Sequence, residues 1–436
     1  MKLLEKLRYY SFWGLDILKG GKVRSHYKDI RYILENYNTE ASKKRRALHL
    51  KCLLKHAVET VPYYKENKGL NLVEDFPVVN KIYIRNNYKN FVSEKYKDKS
   101  SFEVSTSGST GTPFSVYLNK NKKNRNTADA IYFGEKAGYF IGQKLYYMRS
   151  WGNVSSKGKL SSFIQNIKKV NVKSVEDENF SNLVDHMRTN NSTKAILGYS
   201  SAYKEICKYL DKTNSDPITA NITSMIANAE ALGNYTKKSI KKYFDFDILS
   251  RYSNMENGII SQQIKEEGSS YHINWASYHV EILDMKSDKP VKYGVPGRVV
   301  ITDLFNYHVP MIRYDTGDIA VMGIDENYFN GAPSFTKIEG RRMDVIYDTK
   351  GKPMTSVVYE LEHFPEFKQF QLIQINKNTY LVKLNLDEVF QHEEKLKKML
   401  QVYLGDDAII NIKYVDDMPQ LSSGKRKLTM NKFLSV

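Results

Sequence analysis

The sequence contains few cysteines and no long apolar run. Cys52 and Cys207 are its two cysteines, and each lies within an apolar helical pattern, which argues against a disulfide framework and a multi-cysteine metal site. No segment approaches the roughly 18 consecutive apolar residues of a transmembrane helix. Glu5 and Asp16 interrupt the N-terminal region, where a signal peptide needs an uninterrupted apolar core. These absences favour a protein of the reducing cytoplasm that neither spans a membrane nor carries a signal peptide.

Positive charge dominates the composition. The 436 residues carry a formal net charge of +17, which suits an anionic partner such as nucleic acid, a nucleotide or an anionic membrane surface. The lysines are scattered, however, and the sequence has neither a zinc-finger nor an aromatic RNA-binding signature, so nucleic acid is not the predicted partner. With 41% hydrophobic residues over this length, we expect two or three globular domains.

A run of small residues between two strand-like segments organises the chain. Glycines let successive N–H groups point inward, and hydroxyls add donors for phosphate oxygens, so the run predicts a phosphate cradle. The alternative is a flexible linker, although linkers rarely separate two strands. The run is not a Walker A loop, because Thr112-Pro113 stands where Lys-Ser or Lys-Thr would follow the second glycine. Its members are Ser105, Thr106, Ser107, Gly108, Ser109, Thr110, Gly111, Thr112 and Pro113.

Residues 2–18 show apolar positions at helical spacing with basic residues between them. Two interpretations stay open: the helix packs against the main domain, or it lies on an anionic membrane. The apolar positions are Leu3, Leu4, Leu7, Tyr10, Trp13 and Ile17, and the basic ones are Lys2, Lys6 and Arg8. A second helix is predicted over 44–60, ended by Val61-Pro62 because proline disfavours helical geometry in the residue before it.

Strand, loop and helix alternate through the middle of the chain, which predicts an α/β sheet with ligand loops at strand ends. The predicted strands are 145–151, 194–197, 222–226, 279–283, 298–302 and 311–314, and the predicted helices are 125–141 and 235–244. Ser200 is the predicted N-cap of a further helix that contains Ile206 and Leu210. Beyond residue 341, strands 370–375, 380–386 and 409–414, helix 393–403 and a basic loop predict a small α+β domain.

Four further motifs follow the cradle in a fixed order. They are Tyr252-Ser-Asn-Met-Glu256, Arg313-Tyr-Asp-Thr-Gly-Asp318, Gly340-Arg341-Arg-Met-Asp344 and Ser422-Ser-Gly-Lys425. In order and spacing the five motifs resemble the ATP-dependent adenylate-forming enzymes. Leu53-Leu-Lys-His-Ala-Val-Glu-Thr-Val-Pro-Tyr-Tyr64 and Gly198-Tyr-Ser-Ser201 resemble the phenylacetate-CoA ligase branch, especially its CapK-type members of capsular polysaccharide biosynthesis. The resemblance spans residues 50 to 430.

The resemblance implies an ATP site and a reaction. A carboxylate attacks the α-phosphorus of ATP, giving an acyl-adenylate and pyrophosphate, and the cradle holds the phosphates. By the same resemblance Glu256 helps to bind Mg²⁺, and Asp318 accepts hydrogen bonds from the ribose hydroxyls. Arg341 lies near the ribose and phosphates. Asn228, Ala229 and Glu230 form the adenine-side loop, with the Tyr252 ring available for stacking. Each residue alone also has an ordinary structural interpretation, such as a turn for Asp318 or an interdomain ion pair for Arg341.

Lys425 is the catalytic residue that the resemblance identifies most specifically. It corresponds to the family lysine that bridges the carboxylate and the α-phosphate, where negative charge concentrates in the transition state. The acid itself is not identified by the sequence. The predicted pocket residues are Trp151, Tyr199, Ser200, Ser253 and Asn254, whose side chains suit an aromatic or a small polar acid.

The resemblance implies a large N-terminal domain over 1–340 and a mobile cap over 341–436, with a hinge at Arg342 and Asp344. The sequence departs from the family at this hinge, where Arg342-Met343 precedes a single acid. The segment Asp348-Thr-Lys-Gly-Lys-Pro353 does not match the loop that CoA-dependent members present to their thiol. The acceptor is therefore open between CoA and an amine or hydroxyl, for example of a sugar precursor. A non-catalytic ATP-binding member of a polysaccharide assembly system is the remaining alternative, and the oligomeric state stays open.

Overall fold

The computed structural model describes residues 2–67, 69–70, 72–97, 99–106, 114–149, 164–171, 177–265, 268–324, 329–341, 345–354, 357, 361, 364, 366–386, 390–418 and 428–433. The helices are α1 (Leu3–Leu18), α2 (Lys22–Glu35), α3 (Glu40–Thr60), α4 (Lys81–Asn86), α5 (Tyr88–Phe91), α6 (Lys120–Lys136), α7 (Asp177–Thr189), α8 (Ser200–Lys212), α9 (Asn234–Phe244) and α10 (Glu393–Leu404).

The strands form one large sheet, one smaller sheet and one hairpin. They are β1 (Val79–Asn80), β2 (Phe102–Thr106), β3 (Phe114–Leu118), β4 (Lys144–Arg149), β5 (Ile167–Asn171), β6 (Lys194–Tyr199), β7 (Ile222–Asn228), β8 (Leu249–Asn254), β9 (Gly258–Gln263), β10 (Tyr271–Ile273), β11 (Tyr278–Leu283), β12 (Pro296–Asp303), β13 (Tyr314–Gly323), β14 (Ser334–Arg341), β15 (Gln369–Gln374), β16 (Thr379–Asn385), β17 (Ile409–Tyr414) and β18 (Thr429–Asn431).

One half of the large sheet is parallel. Its order is β5-β4-β6-β7-β8, and every neighbouring pair in it is parallel. The apolar faces of α7, α8 and α9 pack on one side of these strands, in a core that includes Tyr146, Ile196 and Met225. The chain runs from β4 outward to β5 and then returns to β6 on the other side of β4. The order reverses between β4 and β6, which is where open α/β sheets bind ligands.

The other half of the sheet is antiparallel, in the order β9-β10-β14-β13-β12-β11, and β1 adds to β13 in parallel. A second core lies between these strands and the helices α2, α3 and α6. A buried charge network fixes α6 in place. Lys122 Nζ lies 2.7 Å from Asp303 Oδ2, and the Arg125 guanidinium donates to Asp29 and Ser277. Removing one partner would leave a buried charge uncompensated, so this network holds α6 against β12 and α2.

The C-terminal part of the chain has a sheet and a core of its own. Strands β17-β16-β15-β18 pair in that order, and α10 packs on them through Leu396, Leu400 and Leu404. This arrangement confirms the strands and the helix predicted between 370 and 414, each within one residue of an observed boundary. The separate core supports a domain boundary near residue 341, which stays a prediction.

Three local predictions are wrong, each for an identifiable reason. The helix predicted over 125–141 spans Lys120–Lys136, because Asn119 Oδ1 caps the N–H of Lys122 and Gly138 adopts a left-handed φ of +89° after the helix. The strand predicted over 311–314 begins only at Tyr314. Ser200 is the first residue of α8 instead of its cap, and its hydroxyl donates to the carbonyl of Glu230. By contrast, α3 ends at Thr60, as the Val61-Pro62 pair predicts.

The N-terminal helix exposes its apolar residues. Leu3, Leu4, Leu7, Tyr10 and Ile17 are all exposed, so packing against the main domain does not account for them. The opposite side of α1 makes the contacts with the protein, where Glu5 Oε1 accepts the N–H of Thr193 and Trp13 meets the ring of Tyr27. Among the described residues, no helix has both the length and the apolar character needed to cross a bilayer.

Candidate active site

Two of the predicted motifs meet at the start of β13. The hydroxyl of Tyr252 donates to Asp318 Oδ2 at 2.5 Å and lies 3.3 Å from Thr316 Oγ1. The hydroxyl of Tyr314 donates to Glu256 Oε1 at 2.9 Å. The β8–β9 hairpin, which carries Tyr252 and Glu256, is therefore joined to β13 by hydrogen bonds between motif residues. The structure brings together the carboxylates that the sequence assigns to the ribose and to the metal.

Burial and these hydrogen bonds fix the protonation of both tyrosines. Burial and the Asp318 carboxylate raise the pKa of Tyr252 well above its ordinary value. Burial and the Glu256 carboxylate do the same to the pKa of Tyr314. Both phenols therefore stay protonated as donors, and each orients one oxygen of its carboxylate.

A buried arginine positions the entry to β13. Arg313 adopts a left-handed φ of +49°, and its guanidinium donates to both carboxylate oxygens of Glu281 at 2.9 and 3.2 Å. The same guanidinium donates to the carbonyls of Glu74 and Phe76, both at 3.0 Å. Bidentate pairing of this kind is strong and directional, so it can hold an unfavourable backbone angle. This anchor delivers Tyr314 and Asp318 to the site.

The backbone of Arg341 lies directly beside Asp318. The two residues are paired across β13 and β14. The structure thus brings the backbone of Arg341 next to the backbone of Asp318. The side chain of Arg341 lies outside the described part of the chain.

Glu256 has the surroundings expected of a metal-binding carboxylate. It is buried, with 6% of its surface exposed, and among the described residues no lysine or arginine lies within ion-pair distance of it. A buried carboxylate without a cation is costly, and a hard cation held mainly by phosphate oxygens would remove that cost. No group of three or more His, Cys, Asp or Glu side chains converges in the described ranges, so the donor set fits a metal that arrives with phosphates.

The predicted adenine-side loop is tied to the first turn of α8. Glu230 Oε2 accepts the N–H of Ser201 at 2.9 Å, and Ser200 Oγ donates to the Glu230 carbonyl at 2.9 Å. Ala229 adopts a left-handed φ of +69°, which is strained for a residue with a Cβ and often marks a functional turn. The carboxyl ends of β6 and β7 are therefore held as one rigid rim that includes Tyr199 and Asn228.

The remaining predicted residues fall into three groups. Asn254 uses its side-chain oxygen to accept the N–H of Asn257 at 2.8 Å, so it shapes the β8–β9 turn, while Ser253 pairs with Ile259 in the same hairpin. Ser105 and Thr106 end β2, and Thr106 pairs with Phe114, so the strands that flank the cradle are neighbours. The predicted site residues that lie outside the described part of the chain are Ser107, Gly108, Ser109, Thr110, Gly111, Thr112, Trp151, Arg342, Asp344 and Lys425.

Sequence reasoning missed the roles of Arg251 and Tyr314. Arg251 immediately precedes Tyr252 in β8, and pleating directs the two side chains to opposite faces. The alternation of residues along β8 was a signal for the position of Arg251. Its lack of an acidic partner among the described residues is visible only in three dimensions. Tyr314 belongs to a quoted motif, yet its bond to Glu256 spans 58 positions.

Comparison with solved structures identifies the fold. The chain is similar to a 2-hydroxyisobutyryl-CoA ligase (HCL) in the postadenylation state in complex with R3-HIB-AMP, with a TM-score of 0.71, 16% identity and 90% of each chain covered. It is also similar to an open conformation of that ligase in complex with 2-HIB-AMP and CoA, with a TM-score of 0.61 and 17% identity over 89% of this chain and 92% of the other. ATP-bound MatB from Rhodopseudomonas palustris gives a TM-score of 0.54 and 14% identity over 74% of this chain and 66% of the other.

The C-terminal part is recognised separately. Residues 353–432 match the family described as the CapK C-terminal domain. No curated protein matches the sequence. The chain has the α/β fold of the adenylate-forming ligases, with a large N-terminal part followed by a small C-terminal domain of the CapK type, and this confirms the predicted fold class and resemblance.

Proposed function

We propose that the protein activates a carboxylic acid with ATP. A carboxylate oxygen attacks the α-phosphorus, the bond between the α-phosphorus and the bridging oxygen of the β-phosphate breaks, and pyrophosphate leaves with its electron pair. The observation that carries the proposal is the pair of bonds Tyr252–Asp318 and Tyr314–Glu256, which join the ribose and metal motifs within a ligase fold. The similarity to HCL and MatB supports the same chemistry.

Each motif then has a place in the reaction. Asp318, oriented by Tyr252, accepts hydrogen bonds from the ribose hydroxyls. The cradle and Arg341 hold the phosphates, and the loop from Asn228 to Glu230 borders the adenine. Glu256 would hold Mg²⁺, which neutralises charge on the phosphates when bound. Lys425 stabilises negative charge that develops between the carboxylate and the α-phosphate.

A panel of carboxylic acids assayed for ATP-dependent pyrophosphate release tests the proposal. We expect release that depends on one class of acid and that is lost in Lys425→Ala. ATP binding without release for any acid class, unchanged by Lys425→Ala, would favour the alternative of a non-catalytic ATP-binding protein in a polysaccharide assembly system.

The second half-reaction is proposed to pass the acyl group to an amine or hydroxyl, such as that of a surface-polysaccharide precursor. The CapK-type C-terminal domain and the absence of a recognisable CoA loop in the sequence around 348–353 support this acceptor. The alternative is acyl-CoA formation, which the CoA complex of HCL supports. Product analysis with ATP, the acid and CoA decides between them, because rapid saturable formation of acyl-CoA would return the protein to the CoA ligases.

We also propose that the protein works in the cytoplasm at an anionic membrane surface, held there by α1. Seven apolar residues of α1 are between 51% and 84% exposed. At 3.6 residues per turn they share one face of about 160°, and Lys6 and Arg8 border it. These residues are Leu3, Leu4, Leu7, Tyr10, Leu15, Ile17 and Leu18. An apolar face bordered by lysine and arginine, on a chain of net charge +17, complements an anionic lipid surface.

A further inference from the structure

A row of polar side chains lies at the carboxyl ends of the parallel strands. Tyr199 of β6 is in register with Asn228 of β7, and Asn228 is in register with Arg251 of β8. Arg149 ends β4 one position beyond the pair Met148–Gly198, which places it beside Tyr199. Residues in register on neighbouring parallel strands project from the same face, so these four side chains share one face at the point where the strand order reverses.

Arg251 is the member of this row with the most unused hydrogen-bonding capacity. Its Nε donates to Gln262 Oε1 at 2.7 Å. In the described ranges the rest of its guanidinium has neither a hydrogen-bond acceptor nor a carboxylate within 4 Å. Burial lowers the pKa of Arg251 to about 10, so the group is still charged at neutral pH. A guanidinium with unused donors can bind an anionic ligand, because hydrogen bonds between a guanidinium and an oxyanion are charge-assisted and strong.

The rest of the row holds a second positive charge, at its far end, and a second unsatisfied group. Arg149 hydrogen-bonds to Tyr199, and its guanidinium lies 5.7 Å from the centre of the Tyr147 ring. Asn228 Oδ1 is buried and has no hydrogen-bond partner in the described part of the chain. Glu230 is an acid that acts electrostatically on Tyr199, and its carboxylate already accepts the N–H of Ser201. The sequence of 150–163, which follows β4, contains no aspartate or glutamate.

Within the row, Arg251 is separated from Asp318, the residue proposed to bind the ribose. Tyr252 turns toward Asp318, whereas Arg251 projects from the other face. Below Arg251 on its own face, Leu197, Ile226 and Leu249 form an apolar floor with Ala137. The result is a basic rim above a buried apolar layer, and such a rim suits the anionic end of a ligand.

We propose that the acid substrate carries a second anionic group, a carboxylate or a phosphate, and that Arg251 binds this group. The proposal rests on the proposed function, since it concerns the end of the acid substrate that lies opposite to the carboxylate that reacts with ATP. Planar oxyanions match the guanidinium fork, which gives both affinity and orientation.

The test compares matched acids on the full-length enzyme. Pyrophosphate release is measured with butyrate, valerate and hexanoate, with succinate, glutarate and adipate, and with 3-phosphonopropionate. We expect kcat/KM to favour at least one of the anion-bearing acids over the monocarboxylate of equal length by tenfold or more. The dicarboxylate and phosphonate arms identify which second anion is bound.

Arg251→Met should remove that preference by lowering kcat/KM about 10- to 100-fold for the anion-bearing acid and leaving the monocarboxylates within about threefold. Arg188→Met, an exposed arginine that contacts Ser215, is the matched control and should change neither. Equal loss for both kinds of acid, or a wild-type preference for monocarboxylates, overturns the substrate assignment and leaves the proposed reaction intact.

Calorimetric titration of the same acids without turnover separates the two proposals. If no acid supports pyrophosphate release, yet a diacid or the phosphonate binds wild type and not Arg251→Met, then the anion site stands and the proposed function fails. Absence of any Arg251-dependent binding overturns the anion site.

Discussion

The hydroxyl of Tyr252 donates to Asp318 Oδ2 at 2.5 Å and joins β8 to β13 across 66 positions of the chain. A protonated phenol that holds one carboxylate oxygen fixes the orientation of the carboxylate that is proposed to bind the ribose diol. Asp318→Ala should therefore weaken ATP binding about 10- to 100-fold, the range expected for hydrogen bonds to a charged group. Tyr252→Phe, which keeps the ring and removes the orienting bond, should cost about tenfold or less. Equilibrium binding of ATP measures both, with the exposed Asp247→Ala as the control that should bind normally.

Lys425→Ala should abolish adenylation while leaving ATP binding largely intact, because the proposed ribose and phosphate contacts belong to the other domain. The expected loss is about a hundredfold or more, as when one preorganised charge-stabilising donor is removed. Pyrophosphate release and ATP binding are measured side by side. Lys427→Ala in the same basic segment is the matched control and should retain activity. Adenylate formation by Lys425→Ala at the wild-type rate would show that this lysine is not the catalytic one.

The proposed hinge can be tested by restricting its backbone. A cap that alternates between an adenylation pose and an acyl-transfer pose needs a few residues that change φ and ψ. Asp344→Pro should impair either pyrophosphate release or acyl transfer more than the other, because proline fixes φ. Asp344→Ala controls for loss of the carboxylate alone. Equal impairment of both half-reactions with a lowered melting temperature indicates misfolding and counts against a hinge at this position.

Much of the fold could be predicted from the sequence, because local patterns decide it. Apolar periodicity gave the helices and strands of the parallel half and of the C-terminal domain, where a buried face repeats within one element. The motifs also identified Tyr252, Glu256 and Asp318. The structure pairs these residues, but no comparison tests their roles, so those roles stay predictions.

Distant contacts explain what the sequence did not show. The start of β13 at Tyr314 depends on Arg313, whose left-handed backbone is held by Glu281, 32 positions away. Ser200 does not cap α8, because its hydroxyl reaches the carbonyl of Glu230 in another loop. Arg251 keeps unused donors because, in the described part of the chain, only Gln262 provides it with an acceptor. A linear pattern contains none of these relationships.

Stability should fall as the pH decreases from about 6.5 toward 4, in part because of His272. Burial lowers the pKa of this histidine to about 3, and neither ring nitrogen has a partner in the described part of the chain. Between the folded and unfolded pKa values the unfolded state binds the extra proton, so stability present above pH 6.5 is lost at about 1.4 kcal/mol per pH unit.

His272→Phe should reduce this pH dependence, since the ring packs between Phe133 and Phe329 and phenylalanine cannot be protonated. Urea unfolding at pH 7.5 and 5.0 measures the difference, with the exposed His392→Gln as the control. A variant whose stability depends on pH as steeply as wild type would rule out this role for His272.

The last prediction concerns the apolar face of α1, which should bind anionic bilayers. Burying seven exposed apolar side chains favours insertion at the interface, and Lys6 and Arg8 at its border add about 1 kcal/mol each near an anionic surface. Sedimentation with vesicles of phosphatidylglycerol and phosphatidylcholine should pellet wild type, less so as salt rises, and leave it in solution with phosphatidylcholine alone. Leu4→Glu with Leu7→Glu should lower binding about tenfold or more without changing pyrophosphate release. The control is Leu48→Glu, at an exposed position of α3. Phe12→Glu would be a poor control, because the Phe12 ring packs against Trp13. If the paired glutamates instead convert a dimer to a monomer and wild type ignores the vesicles, the face binds a second copy and the membrane proposal is wrong.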